Sequence, residues 1–280
     1  MTAVQPESRP TLAPSLNLSF KQAVGRRRSV RYYKPFQPVE PEKVQRILEA
    51  ARLQSCHGNA VQTRKAIVVR RDETDPEIFE GLVDALYNQP QAAQAPVHIY
   101  WTVDLTGWDH LRENLIGLID AGALTSSYGW SEQFIDEIVL NTPDFNVMAG
   151  ERRFAEWLSA IEIGLAMGSA LLAAQDEDLG TQLLTGKREQ IADLLGIPKD
   201  VTVAQIQILG YPAEGPEAGG QRPRPQFEDL YYDGKWGAPL TPDPAVTSEL
   251  IDAGMIQAPA PLPYRRREIR ALAAMFGLPD

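Results

Sequence analysis

Cysteine is almost missing from this chain. Cys56 stands alone among 280 residues, which excludes an internal disulfide and any thiolate-rich metal cluster. Histidine is scarce too: His57, His98 and His110 are the three present, and no HExxH or paired-histidine spacing occurs, so a zinc site is not expected. No apolar run approaches the roughly 20 residues that cross a bilayer. The longest, Ile161 to Ala174, is interrupted by Glu162. The first residues lack a basic stretch followed by an apolar core, so no secretory signal is expected. An excess of positive charge is also lacking. The net charge is -10, which argues against general nucleic-acid binding. A cytoplasmic protein with no membrane and no nucleic-acid partner is the expectation. What is present is a 44% apolar content, enough for the core of one large domain or two small ones.

Against this acidic background one stretch is conspicuously basic. Gly25-Arg26-Arg27-Arg28-Ser29-Val30-Arg31 places four guanidinium groups and a hydroxyl within seven residues. Clustered like charges repel unless an anion sits among them. Guanidinium groups bind phosphate through paired hydrogen bonds, and Ser29 adds a hydroxyl donor. A phosphate seat is one reading; a solvated basic arm or a nucleic-acid patch is the other. A second basic pair, Arg222 and Arg224, lies in a Gly- and Pro-rich loop from Ala213 to Pro225.

The remainder reads as alternating helices and strands. Residues 1–16, with Pro6, Pro10 and Pro14, suggest a flexible arm. Ser19 and Gln22 have capping-box spacing for a short helix through Val24. Pro41 opens an amphipathic helix to about Leu53. A polar loop, Gln54 to Thr63, leads to a strand at Ala66–Val69. A helix from Pro76, a strand at Val97–Val103 and a helix–loop–helix over Leu111–Leu140 follow. Its loop, Ser126 to Trp130, is rich in aromatics; Trp130 and Phe134 either wall an apolar pocket or pack in the core. Arg152 to Ala174 reads as a helix apolar around most of its circumference, suited to the core or a subunit interface. Its row Ala160, Gly164, Gly168 would admit a close helix neighbour. A strand after Asp178, a helix over Lys187–Leu195 and an alternating strand over Thr202–Leu209 come next. The tail holds helices near Val246–Ala253 and Tyr264–Phe276. Strands separated by helices predict an α+β domain with a mixed central sheet flanked by helices.

In this order the motifs resemble the flavin-dependent nitroreductase family. Arg27-Arg28-Ser29-Val30-Arg31 is similar to its opening RRSVR signature, Ile47 to Ala51 to its next helix, and Cys56-His57-Gly58-Asn59 to its Ser-x-x-Asn loop. Leu179-Gly180-Thr181 resembles its GLGT segment; Leu195 to Pro198, Leu209 to Pro212 and Arg222-Pro223-Arg224 resemble its closing elements. The likeness spans about Phe20 to Trp236. Three features depart from the pattern. Ala60-Val61-Gln62-Thr63 replaces the usual Gln-Pro-Trp, Cys56 stands for a serine unless Ser55 takes that role, and Asp178 stands for a glycine.

The resemblance implies a dimeric nitroreductase-like fold: an arm at 1–16, an FMN-binding domain at 17–237 and a helical extension at 238–280. It implies FMN at a homodimer interface and NAD(P)H as electron donor. Reduction of a small aromatic acceptor, a nitroaromatic or a quinone, by ping-pong hydride transfer at flavin N5 is the implied activity. Carried over residue by residue, Arg27, Arg28, Ser29 and Arg31 hold the phosphate and ribityl or ring oxygens, and Arg222 and Arg224 close over the same phosphate. Ser55, Cys56, His57 and Asn59 face the ring from the second subunit, and backbone amides at Leu179 and Gly180 lie beside it. Tyr128, Trp130 and Phe134 are candidate acceptor-pocket walls. No side chain is cast as nucleophile or metal ligand, because the flavin carries the chemistry. Other reactions on the same scaffold are dehydrogenation, dehalogenation and flavin processing; a non-catalytic flavin carrier is the alternative of a different class.

Overall fold

The computed structural model describes residues 12–55, 61–150 and 152–279. The first helix, α1 (Phe20–Arg26), starts with both halves of the capping box: the Gln22 amide donates to Ser19 Oγ at 3.3 Å and the Ser19 amide to Gln22 Oε1 at 3.0 Å. Pro41 opens α2 (Pro41–Arg52), which buries Val44, Ile47 and Ala51. Then follow β1 (Arg64–Arg70), α3 (Pro76–Ala85), a short α4 (Pro90–Gln94) and β2 (Val97–Val103). After a 3-10 turn come α5 (Leu111–Asp120) and α6 (Glu132–Glu137), then the 25-residue α7 (Arg152–Asp176). The chain continues through β3 (Gly180–Leu184), α8 (Arg188–Leu195), β4 (Thr202–Gly210), α9 (Phe227–Leu230), α10 (Pro244–Asp252) and α11 (Arg265–Phe276).

The four strands lie in the order β1-β2-β4-β3, with every neighbouring pair antiparallel. The parallel component expected of a mixed sheet is a single bridge, Ser29 to Thr181, on the outer side of β3. β2 is buried along its whole length. Its side chains alternate between two cores, as strand geometry requires. Ile99, Trp101 and Val103 join Val44, Ile47, Ile163 and Ala166 on one face; Tyr100 joins Phe79, Leu82, Ile191 and Ile206 on the other. Helices therefore cover both faces, as expected for this α+β fold.

The longest helix, α7, differs from the sequence reading. It buries one stripe, Ala155, Ser159, Glu162, Ile163, Ala166, Ala170 and Ala174. Alanines, rather than glycines, set its close approach to the core. The opposite face carries Phe154, Trp157, Ile161 and Leu165, and Trp157 is 57% exposed. A methyl group built on Gly164 or Gly168 meets nothing within 4 Å, so the small-residue row lies open in the single chain. Among the described residues, α7 is the one helix long and apolar enough to cross a membrane, yet its inner stripe belongs to the protein core.

Residues 13–16 of the expected flexible arm are tied down. Ser15 Oγ donates to the buried Glu177 carboxylate at 2.6 Å, which also receives Arg46 Nη1 at 2.8 Å. The Leu16 amide donates to the Asp176 carbonyl at 2.7 Å. A buried carboxylate needs such partners, and the arm supplies one of them. Residues 1–11 lie outside the described residues.

Candidate anion and flavin site

The arginine run begins in the last turn of α1 and leaves the helix along the edge of the sheet. The Val30 amide donates to the Thr181 carbonyl at 3.1 Å, and Tyr33 bridges Pro212 beyond β4. Gly180 makes this approach possible: a methyl group there would lie 2.8 Å from Val30 Cγ2. Tyr33 is fully buried and anchors the end of the run, with its amide donating to Gln94 Oε1 at 3.0 Å.

The loop after β4 crosses back over this run. Glu214, itself buried, accepts the Arg31 amide at 2.6 Å and forms an ion pair with Arg265 of α11 at 2.6 Å. Its path brings the second basic pair to the first. Arg27, Arg28, Ser29, Arg31, Arg222 and Arg224 all line one cleft of about 940 Å³. Burial, and then the positive charges of Arg224 and Arg222, lower the Arg27 pKa. Among the described residues, Arg27, Arg222 and Arg224 have no ion-pair partner in the protein. Repulsion of this kind favours a bound anion of two or more charges.

The neighbouring arginines have separate tasks. Arg28 is 6% exposed. Its guanidinium donates to the Gly25 carbonyl, the Arg27 carbonyl at 3.0 Å, the Glu217 carbonyl at 3.2 Å and Gln257 Oε1 at 2.7 Å. Its hydrogen-bonding capacity is largely spent on the protein, so it brings charge to the cleft more than free donors. Burial and then Arg27 lower its pKa, and Glu217 opposes them. Arg31 is exposed and its guanidinium donates to the Ser29 carbonyl at 3.1 Å.

The other candidates lie off the cleft. Leu179 is buried at the end of α7; its amide donates to the Ala174 carbonyl at 2.8 Å and its carbonyl accepts from Gln175 at 3.1 Å. Asp178 adopts the left-handed conformation, φ 59°, at the position the family pattern gives to glycine. Aspartate tolerates that geometry better than most residues, and Arg26 lies 3.9 Å from its carboxylate. The Ser55 carbonyl accepts from Arg64, which also forms a buried ion pair with Glu162 of α7 at 3.3 Å. Burial raises the Glu162 pKa, and its hydrogen bond from Thr63 opposes that. Cys56, His57 and Asn59 fall outside the described residues. Trp130 and Phe134 meet edge to face at 5.5 Å and pack on the larger core, while Tyr128 is exposed at a loop tip. Among the residues the sequence reading missed, Met255, Ile256 and Gln257 of the tail line the cleft, as do Phe227 and Tyr231 of the segment before it.

Comparison with known proteins bears on the fold. Among solved structures, the fold is similar to a protein described as a nitroreductase and solved in complex with FMN from Exiguobacterium sibiricum (22% identity, TM-score 0.62, covering 79% of this chain and 100% of that one). It is also similar to a protein described as an NAD(P)H:FMN oxidoreductase from Staphylococcus epidermidis (18%, 0.64, 78% and 97%) and to nitroreductase A from Vibrio parahaemolyticus (18%, 0.54, 83% and 83%). No curated protein matched the chain. These likenesses define the class as the nitroreductase-like fold. The sequence model of the Nitroreductase family matches residues 24–211, and the chain belongs to that family.

Proposed function

We propose that this protein is an FMN-dependent oxidoreductase that uses NADH or NADPH to reduce an electron-poor aromatic acceptor, a nitroaromatic or a quinone, with ping-pong kinetics. The observation that carries this reading is the meeting of Arg27 with Arg222 and Arg224 in one cleft. Arg27, Arg31, Arg222 and Arg224, with the Ser29 hydroxyl, hold the FMN phosphate, and Arg28 supports it with charge from behind. Bound FMN supplies the hydride-accepting and hydride-donating chemistry that side chains do not provide. The chain's part is to seat, orient and shield it. The backbone at Leu179 and Gly180 lies on the ring side, with Leu179 fixed by its own hydrogen bonds.

In this reading the protein is a cytoplasmic homodimer joined through the outward face of α7, where Phe154, Trp157, Ile161 and Leu165 await a partner. The second copy brings Ser55, Cys56, His57 and Asn59 to the ring, and Tyr128, Trp130 and Phe134 wall the acceptor pocket. Residues 17–237 carry the phosphate seat and 238–280 form an extension. The resemblance to structures solved with FMN or described as FMN oxidoreductases supports it. An absorbance spectrum of the FMN-loaded protein before and after anaerobic NADPH addition tests it. Bleaching of the oxidised band and its return on adding a nitroaromatic or quinone is the expected result. A flavin that stays oxidised with both NADH and NADPH contradicts the proposed donor.

A further inference from the structure

The tail beyond the family match is fastened at both arginine clusters. Beside the first, Arg28 donates to Gln257 Oε1 at 2.7 Å. Beside the second, Gln221, the residue before Arg222, makes a set of bonds to the same segment. Its amide donates to the Ala258 carbonyl at 2.9 Å and its side-chain nitrogen to the Met255 carbonyl at 3.0 Å. It accepts the Gln257 amide at 2.9 Å and the Ala260 amide at 2.8 Å. Contact at the base is intimate: a methyl group on Gly25 would lie 1.8 Å from the Gly254 carbonyl oxygen. α11 adds an anchor through Arg265, which pairs with Glu214 at 2.6 Å and Glu268 at 2.9 Å. Glu214 in turn holds the Arg31 amide.

We propose that Met255–Ala260 forms the outer wall of the nucleotide cleft and that Arg28, clasping this wall through Gln257, is a positioning residue that governs how long a phosphate-bearing ligand is retained. The inference rests on the FMN reading for the ligand but not for the wall. Arg28 makes its bonds to uncharged acceptors, so its positive charge stays uncancelled by a direct carboxylate partner and serves the neighbouring anion. One side chain thus links the charge of the site to the closure of its wall. A wall held by side-chain bonds on two sides must release them before a ligand leaves past it.

FMN-loaded protein is compared with Gln257→Ala, which keeps the Arg28 charge, and with Arg28→Lys, which keeps a charge but loses the fork geometry. FMN dissociation is followed by recovery of flavin fluorescence on dilution, riboflavin affinity by titration, and amide exchange at residues 255–260 by mass spectrometry. The wall predicts FMN release about 10-fold faster or more in both variants, riboflavin affinity within about 2-fold of wild type, and faster exchange at 255–260. Release rates within about 2-fold of wild type in folded Gln257→Ala overturn the proposal, as does an equal loss of FMN and riboflavin binding. Wild-type protein that takes up no FMN refutes the flavin reading alone. The wall is then judged with inorganic pyrophosphate: slower exchange at 255–260 supports it, and unaltered exchange overturns it.

Discussion

The arginine cleft and the outward face of α7 differ in how much of each a single chain builds. The cleft is assembled within one chain: α1, the β4 loop and the tail each contribute a wall. Among the described residues, no acidic side chain lines it. The α7 face is one helix with aromatic and aliphatic side chains in water and two glycines open to approach. A cleft lined by unpaired guanidinium groups favours a small anion, whereas an exposed apolar helix face favours another protein surface. The contrast separates the cofactor-binding part of the account from the assembly part, and each can be broken without the other.

The largest expected effect is on the cleft. Arg27→Ala combined with Arg224→Ala removes a charged contact from each cluster. Each charge-assisted hydrogen bond is worth about 1.5–3 kcal/mol, so FMN affinity should fall by at least about 100-fold in a titration, with the far-UV circular dichroism unchanged. Arg224→Ala alone should cost about 10-fold or more; unchanged affinity would remove that residue from the phosphate seat. Next comes the helix face. Trp157→Asp puts a charge in the middle of the apolar surface and should convert a dimer to a monomer in sedimentation at micromolar concentration. A wild-type monomer, or a variant that stays dimeric, would remove α7 from the interface.

Gly164→Leu sharpens the same contrast. In a single chain the new side chain meets open space, so monomer stability should hardly change. In a dimer packed on this row the added bulk should weaken association by about 1–3 kcal/mol. A separate effect lies in the core, away from both surfaces. His98 is fully buried, with Nε2 2.9 Å from the Ala92 carbonyl oxygen, and burial lowers its pKa to about 4. The unfolded chain therefore binds a proton below about pH 6.5 that the folded chain refuses until about pH 4. Stability should fall through that window, by at most about 3 kcal/mol from this group. His98→Gln should flatten that part of a melting-temperature profile; an unaltered slope would contradict the assignment.

Much of this was legible from residue patterns. Ser19 with Gln22, Pro41, and the alternation in β4 located elements because capping, proline geometry and strand periodicity act locally. The pairing of the two arginine clusters came from the family resemblance, and charge pattern alone left a solvated basic arm equally open. Local pattern could not say which arginine turns inward. Arg27 and Arg28 are identical in type and adjacent, and their division of labour follows from where Gln257 and Glu217 arrive from distant parts of the chain. The inner stripe of α7 was obscured because both of its faces are apolar, so composition did not distinguish core from interface. The tail's role left one faint trace: Gly25 within the arginine run marks a close backbone approach, but not what approaches. Glu214 and Arg265 pair across 51 positions, a contact that spacing does not reveal.

The central claim, that the paired arginine clusters exist to hold a phosphate, is tested most directly by titrating the apoprotein with FMN and with riboflavin, which differ by that group alone. The account predicts FMN bound at least about 100-fold more tightly, with the ratio shrinking toward unity in the Arg27→Ala, Arg224→Ala double variant. Equal affinity for the two flavins in wild-type protein would contradict it.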